Sequence, residues 1–318
     1  MKNLLVPLAM LLSLLEISCN PPPPPALPAE AAVSASGWSF AGIPGEKLQT
    51  RHYVIYTTAG TRALRQELPG FMESAYSQYL QLTGLADKPA APMVIYLLGD
   101  RGQWAAMTQT VTAPYQQTYL TIQNGGYCYQ GVCVLWDLSH VATYSIAAHE
   151  GLHQFLFHRV RQPLPAWVEE GLATQMEGFS PSGQSIALSP GQNNLRLVSL
   201  RTELSAQRWV GLSDLLESDA GEFLTTHSSL QGPEYYAQLW AMLSFILSEP
   251  DYSGGLRRMI AQAEAGNLQP PPPPGAPPRS IEYNKAMSMP VFRQYIDPDL
   301  GRFEARYKGY ARKLAGLN

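Results

Sequence analysis

The sequence predicts an α+β fold, with a small mixed sheet near the N-terminus followed by a mainly helical C-terminal part. Short β-branched and aromatic segments, which are typical of strands, lie before residue 138, whereas segments with helical spacing of apolar residues predominate after it. No internal repeat is visible, and an apolar content of 45% is normal for a globular protein with a core.

The strand and helix segments follow one another in a simple order. Strands are predicted at 52–58, 92–100 and 131–137, the last after a Gly-Gly turn that suggests a hairpin. Helices are predicted at 72–84, 101–110, 143–158, 166–178, 211–217, 235–248, 254–265 and 290–315.

The first 19 residues have the composition of a secretory signal peptide. Lys2 precedes a short apolar stretch from Leu4 to Leu15, and small residues stand before Cys19. The stretch is shorter than the roughly 20 apolar residues that span a bilayer, which favours a cleaved signal over a permanent membrane helix. We therefore expect export to the periplasm or the cell surface.

Cys19 is a candidate site of lipidation. Together with Ile17 and Ser18 it resembles the bacterial lipobox, whose cysteine is lipidated and anchors the protein to the membrane. Glu16 stands where that motif has leucine. The alternative is that Cys19 is removed with the signal peptide.

Proline-rich segments divide the rest of the chain. Residues 20–37 read as an extended tether, and a globular domain is expected over 38–268. A second proline-rich tract, 269–280, is predicted to be a surface loop or a linker to a C-terminal helical segment, 281–318.

Charge and cysteine content restrict the partners and the redox chemistry. The net charge of −3 and the lack of a basic run exclude nucleic acid as an expected partner. Cys128 and Cys133 flank a turn that contains Gly131, and in an oxidising compartment they are expected to form a disulfide. Two free thiols and a metal pair are the alternatives.

The segment AAHEGLHQF carries the most specific pattern in the chain. His149 and His153 are four residues apart on the predicted helix 143–158, in one stripe with Ile146 and with Leu156 or Phe157, which predicts that both rings point inward. Side chains at this spacing can bind one ion. Glu150 is rotated about 100° from His149, where it can act on a water molecule at that ion.

Histidines on an apolar helix face are more often core residues than metal ligands. Two such rings on one stripe each have a donor and an acceptor to satisfy, however, and a shared cation satisfies both. Glu170, with 16 residues between it and His153, lies in AWVEEGLAT and offers a third ligand. Two histidines, a glutamate and water form a common ligand set of catalytic zinc, so we expect one Zn²⁺.

This order of motifs resembles the gluzincin metallopeptidases, particularly the aminopeptidase N branch with its W-x-x-E-G-F-A pattern. The resemblance implies His149, His153 and Glu170 as zinc ligands and Glu150 as the general base. Glu169 stands where that branch often has asparagine, and Glu177 matches an acidic residue seven positions after the ligand. For Glu169 and Glu177 the alternative is a solvated helix face.

A broader resemblance covers most of residues 45–315. The segments VIYLLGDRGQW, NLRLVSL and YYAQLWAMLSFIL are similar to an uncharacterised family of secreted bacterial proteins with a peptidase-like zincin domain, domain of unknown function 1570. This resemblance implies a zincin-like fold and a metal site, and it supplies no substrate.

A zincin-like site implies hydrolysis of a peptide or protein substrate. Tyr236, which matches the family-like run, is the candidate donor to the developing oxyanion, and packing with Trp240 in the core is its alternative role. The strand 131–137 is expected to be the sheet edge that binds an extended peptide. Alternatives are a non-catalytic surface binding module that keeps a structural metal and a lipoprotein whose site holds none; no pattern predicts the oligomeric state.

Overall fold

A computed structural model describes residues 34–88, 90–182, 185–218 and 231–317. The predicted signal peptide, Cys19 and the first part of the predicted tether lie outside the described residues, so they stay predictions. No helix among the described residues is both long enough and apolar enough to cross a bilayer.

Six strands form a mixed sheet, as the α+β prediction requires. Its order is β1-β2-β3-β4-β6-β5, with β3, β4 and β6 parallel and the remaining pairs antiparallel. The strands are β1 (Ser34–Phe40), β2 (Ile43–Gln49), β3 (Tyr53–Thr57), β4 (Met93–Leu98), β5 (Gly126–Tyr129) and β6 (Val132–Trp136). A separate hairpin comprises β7 (Phe179–Ser182) and β8 (Ser185–Leu188).

Eleven helices are seen in the described part of the chain, most of them after the sheet. They are α1 (Arg62–Thr83), α2 (Arg101–Val111), α3 (Gln116–Leu120), α4 (His140–Arg159), α5 (Ala166–Gln175), α6 (Asn194–Ser205), α7 (Leu212–Glu217), α8 (Gln231–Ser248), α9 (Pro250–Ala265), α10 (Ile281–Tyr295) and α11 (Leu300–Leu314). The predicted sheet followed by a mainly helical part is confirmed.

Several predicted segment boundaries were wrong: the helix expected at 72–84 begins at Arg62, and three others differ for local reasons. Strand β1 begins inside the predicted tether, because β1 is largely exposed and lacks the alternating apolar pattern by which a strand is recognised. The segment 290–315 is two helices, since Pro298 cannot continue a helix and the Asp299 side chain caps the next one by accepting from the N–H of Arg302. Helix α5 ends at Gln175, before residue 178.

Both faces of the sheet are covered. Successive side chains along each strand point to opposite faces, so they contribute to two different clusters. Ile95, Leu97 and Leu135 face the main core with α1 and α4, whereas Val134 and Trp136 face a smaller cluster around Trp104 of α2. The Trp104 indole N–H donates to the carbonyl of Val134 at 3.1 Å, which fixes α2 to the sheet.

Helix α4 lies in the centre of the molecule, between the sheet and helices α1 and α5. Gln154 donates to the carbonyls of Val94 and Gly131 at 2.7 and 2.8 Å, and the Tyr79 hydroxyl donates to the Ala148 carbonyl at 2.7 Å. These bonds tie the helix to β4, to the β5–β6 turn and to α1. The position of every side chain on α4 is therefore set from three directions.

The C-terminal helices share the main core. Phe292 of α10 packs edge-on against Trp167 of α5 with ring centroids 5.5 Å apart, and Phe303 of α11 is fully buried against Phe292. Gly255 of α9 lies against the Tyr295 backbone at the end of α10. Of the helices after the proline-rich tract, α10 thus packs on the helix that carries Glu170, and α11 packs on α10.

Adjacent glycines in α9 provide a test of this packing. A β-carbon at residue 255 would collide with the Tyr295 carbonyl oxygen, whereas at residue 254 the nearest atom is an arginine nitrogen 3.7 Å away. We expect Gly255→Ala to lower the free energy of unfolding by roughly 1–3 kcal/mol through overpacking. Gly254→Ala should raise it by about 0.5–1 kcal/mol through helix propensity. Urea unfolding measures both, and equal effects would contradict the packing of α9 on α10.

Candidate metal centre

Three potential ligand atoms meet at the face of α4 that is turned towards α5. The Nε2 atoms of His149 and His153 are 3.3 Å apart, and they lie 3.4 and 3.5 Å from Oε2 of Glu170. A tetrahedral zinc with ligands at about 2.0–2.1 Å separates its ligands by about 3.3 Å. The predicted residues are therefore brought together at the spacing that one zinc ion needs, and the group could hold a metal ion.

The burial of this group also favours a cation. Oε2 of Glu170 is buried and has no hydrogen-bond partner among the described residues, its nearest neighbours being the two ring nitrogens. Burying a carboxylate oxygen that accepts no hydrogen bond lowers the stability of the folded protein. A metal ion would satisfy it together with both imidazoles.

The histidine stripe, which was predicted to face inward, is only partly buried. The side chains of His149 and His153 are 12% and 16% exposed, and of the two residues expected at the end of the stripe Leu156 is fully buried whereas Phe157 is 38% exposed. The neighbouring faces of α4 are more deeply buried: Phe155 packs against Tyr76 and Tyr79 of α1, and Gln154 bonds to the sheet. Both rings consequently lie at the boundary between the core and the surface.

Glu170 is placed by close packing between α5 and α8. A β-carbon on the next residue, Gly171, would collide with the side chain of Leu243 in α8. Gln175, one turn further, donates to the Trp240 carbonyl of α8 at 2.9 Å. Glycine at 171 thus lets α8 approach the helix that carries the third ligand.

Glu177 contacts the ring of His149 from the side opposite the metal position. It lies in the turn after α5, and its Oε1 is 2.9 Å from Nδ1 of His149. Arg196 donates to both Glu177 oxygens at 2.7 and 2.8 Å, and Asn193 donates at 2.6 Å. The side chain is only 7% exposed, so the solvated-face alternative is wrong for this residue. A carboxylate here orients the ring and leaves Nε2 to the metal.

Glu169 plays the corresponding part for the second histidine. Its Oε2 lies 3.8 Å from Nδ1 of His153, and Arg279 donates to both of its oxygens at 2.8 and 2.9 Å. The residue is 8% exposed, which again rules out a solvated helix face. Arg196 and Arg279 were not identified from the sequence, because each joins its carboxylate only in the folded chain.

Glu150 is separated from the ligand group, as its position one residue after His149 predicts. Burial raises the pKa of its carboxyl, while the two histidine rings and the backbone N–H of Cys128 have the opposite effect, and the net shift is upwards. A carboxylate with a raised pKa is a better proton acceptor than an ordinary surface glutamate.

The two cysteines lie directly opposite each other in the β5–β6 hairpin, next to Glu150. Both are free thiols in the structure, in contrast to the disulfide that we predicted. The Cys133 thiol is buried and donates to the backbone carbonyl of Glu150 at 3.3 Å, so it has a partner on α4.

The sheet edge also differs from the prediction. Strand β6, which we expected at the edge, is bonded to β4 on one side and to β5 on the other. The edge strand is β5, which lies against α4. Local sequence could not show this order, because it depends on the parallel pairing of β4 with β6.

Tyr236 lies on α8 beside the ligand group. Trp240, with which it was alternatively predicted to pack, is one turn further along the same helix. The Tyr236 ring centroid is 6.2 Å from that of His149, and the Arg196 guanidinium stacks over it at 4.9 Å. Burial raises the pKa of the hydroxyl well above its ordinary value, with a further contribution from Glu170.

Comparison with known proteins supports one of the two resemblances. Residues 139–259 match the family model described as "Protein of unknown function (DUF1570)". The match is narrower than the 45–315 that we expected; it contains both histidines, Glu170 and Tyr236, and it ends before Arg279. No curated protein and no solved structure matches the chain. The gluzincin resemblance stays a prediction.

Metal binding should be strongly pH-dependent. Burial lowers the pKa of His149, but the adjacent Glu170 and Glu177 carboxylates outweigh burial and raise it to about 9 in the metal-free protein, and the pKa of His153 is raised as well. Near neutral pH one or two ring protons must therefore leave as an ion binds. We expect the apparent zinc affinity to rise roughly ten- to hundredfold per unit between about pH 6 and 8.

Isothermal titration calorimetry in buffers of different ionisation enthalpy would count the released protons. His158→Gln is the matched control, because His158 lies on the same helix but bonds to the Gly131 carbonyl, so it should not change the count. A zinc affinity that does not depend on pH would contradict the protonation of His149 and His153 in the metal-free protein.

Proposed function

We propose that the protein is an exported zinc-dependent metallopeptidase. The observation that carries this proposal is the triangle of 3.3, 3.4 and 3.5 Å formed by Nε2 of His149, Nε2 of His153 and Oε2 of Glu170, with the half-buried carboxyl of Glu150 close enough to interact electrostatically with all three residues. A purely structural metal has no need of an additional carboxylate of this kind. Export rests on the predicted signal peptide and is part of the proposal.

The charges around the ligand group support a divalent ion. With Glu150, Glu169, Glu170 and Glu177 ionised, the guanidiniums of Arg196 and Arg279 leave an excess of two negative charges. Burying uncompensated charge is strongly unfavourable. A dication with neutral histidine ligands balances the group.

Zinc at this position would supply a water of lowered pKa and polarise the scissile carbonyl. The remaining steps belong to the protein. Glu150 accepts a proton from the attacking water and returns it to the leaving amine, and its raised pKa suits both transfers. His149 and His153 are held in the tautomer that presents Nε2, because carboxylates face their Nδ1 atoms.

Tyr236 is proposed as the donor to the developing oxyanion. The hydroxyl stays protonated at neutral pH, because burial and the Glu170 carboxylate raise its pKa. Arg196 stacks on its ring and so restricts its position beside His149. A donor fixed in advance stabilises a developing negative charge without a cost of reorganisation.

Strand β5 is the proposed binding edge for the peptide backbone. It lies at the end of the sheet, against α4, and the backbone N–H of Cys128 acts on the Glu150 carboxyl. An extended peptide could add to this edge as another strand and pass over the metal position. Peptide binding at the sheet edge, which we first expected of strand 131–137, is therefore proposed for β5, the preceding strand of the hairpin.

Replacing the general base should separate catalysis from metal binding. We expect Glu150→Gln to keep one zinc per chain and to lower kcat/KM on a cleaved peptide by roughly 10²–10⁴. Glu46→Gln, which alters a carboxylate 47% exposed on β2, is the control and should leave both unchanged. Elemental analysis and a peptide library measure the two quantities. A Glu150→Gln protein that cleaves as well as the parent would exclude this mechanism and favour a binding module.

The neighbouring tyrosines of α8 offer a second test. We expect Tyr236→Phe to lower kcat by about 10²–10³ with little change in KM, because the hydroxyl acts only on the developing charge. Tyr235→Phe removes a bond to the Ser218 carbonyl and should cost about 1 kcal/mol of stability with kcat unchanged. Steady-state kinetics and urea unfolding of both variants are the measurements. Equal kcat for Tyr236→Phe and the parent would assign Tyr236 to the core.

A further inference from the structure

We propose that Arg279 is a positioning residue of the metal centre. It fixes the Glu169 carboxylate beside Nδ1 of His153 and thereby makes this ligand depend on the proline-rich tract 269–280 and the helix after it. The inference rests on the zinc centre proposed above. It assigns a role to a segment that lies outside the matched region 139–259.

The contact between Arg279 and Glu169 is close and largely shielded. The guanidinium donates to both carboxylate oxygens, at 2.8 and 2.9 Å, and Glu169 is 8% exposed. The same guanidinium stacks over the ring of Phe157, on the last turn of α4, at 5.3 Å. Arg279 therefore holds α5 and α4, the two helices that carry the ligands, at one point.

The backbone around Arg279 is built to deliver this side chain. Arg279 has a φ of 65°, in the left-handed region that a non-glycine residue adopts at a cost in strain. Ser280 then caps α10 by accepting from the N–H of Tyr283, whose hydroxyl donates to the Pro163 carbonyl at 2.7 Å. The first turn of α10 is consequently anchored to the segment that leads into α5.

A second bond ties the same turn to the start of α5. The side-chain oxygen of Asn284 accepts from the N–H of Ala166 at 2.8 Å, and its amide donates to the Glu217 carbonyl at 3.0 Å. Helix α5 begins at Ala166 and carries Glu169 and Glu170 one turn later. The orientation of this turn thus depends on α10 through both Asn284 and Arg279.

The two histidines show why the arginine matters. Each Nδ1 faces a carboxylate, and each carboxylate is gripped at both oxygens by one arginine: Glu177 by Arg196 and Glu169 by Arg279. Without Arg279, the Glu169 carboxylate would be buried next to the like charge of Glu170, and repulsion would displace it. His153 would then lose the partner that sets its tautomer and ring angle.

The experiment compares zinc and cobalt binding by the full chain and its variants. Competition with a chromophoric chelator gives the zinc affinity, and the visible spectrum of the Co²⁺ form reports the ligand field of His153 without any assay of activity. We expect Arg279→Ala to weaken zinc binding roughly 10- to 100-fold and to shift the cobalt bands. Arg279→Lys should restore part of the affinity, because the charge returns but the planar guanidinium that stacks on Phe157 does not.

Two further variants distinguish positioning from general stability. Arg293→Ala, on the exposed face of α10, removes a bond to the Pro298 carbonyl and should leave metal binding unchanged. If Arg279 acts through Glu169, Arg279→Ala should cost far less affinity in a Glu169→Gln background than in the parent. Glu169→Gln alone tests the same link if the arginine variants do not fold.

Each outcome bears on a definite claim. Parent-like zinc affinity and cobalt bands in Arg279→Ala, or the same loss in the Glu169→Gln background, would overturn the role of Arg279 while leaving the zinc centre intact. A parent chain that binds no zinc would overturn the metal centre and this inference together. A chain that binds zinc with the expected Arg279 dependence but cleaves no peptide would overturn the peptidase proposal alone.

Discussion

The convergence of two imidazoles and one carboxylate on a small buried volume is the constraint on which the rest of the structure depends. The three ligand atoms lie 3.3–3.5 Å apart, and Oε2 of Glu170 has no donor among the described residues. Such an arrangement is unfavourable unless a positive charge lies among the ligands. Protons on the histidines can provide that charge in the metal-free chain, as the raised pKa of about 9 for His149 indicates. A dication that satisfies all three ligands at once is the alternative that the geometry fits.

The surrounding helices hold the ligand group together although its carboxylates repel one another. Arg196 reaches Glu177 from α6, and Arg279 reaches Glu169 from the segment before α10, so that both outer carboxylates are neutralised from opposite sides. Helix α4 is fixed by the sheet through Gln154 and carries the histidines at the boundary of the core. The sheet supports α4, and the part of the chain after residue 190 provides the two arginines that neutralise the outer carboxylates. The later helices thus contribute to a site whose three ligands all lie on α4 and α5.

Features that depend on local spacing could be predicted from the sequence. The helix that carries His149 and His153, the third ligand Glu170 and the order of sheet and helices all follow from residue patterns within a few turns. Arg196 and Arg279 could not be predicted, because the contacts that give them a role join segments 19 and 110 residues apart. The edge position of β5 depended on long-range pairing for the same reason. Strands β1 and β2 were missed because exposed strands carry no apolar alternation.

The central claim is that one metal ion is bound by His149, His153 and Glu170. Its most direct test is an anomalous difference map from crystals of the purified chain, recorded on both sides of the zinc absorption edge. The account predicts a single strong peak about 2.0–2.1 Å from both Nε2 atoms and from a Glu170 oxygen, present above the edge and lost below it. A map without a peak at this position, from protein supplied with zinc at neutral pH, would contradict it.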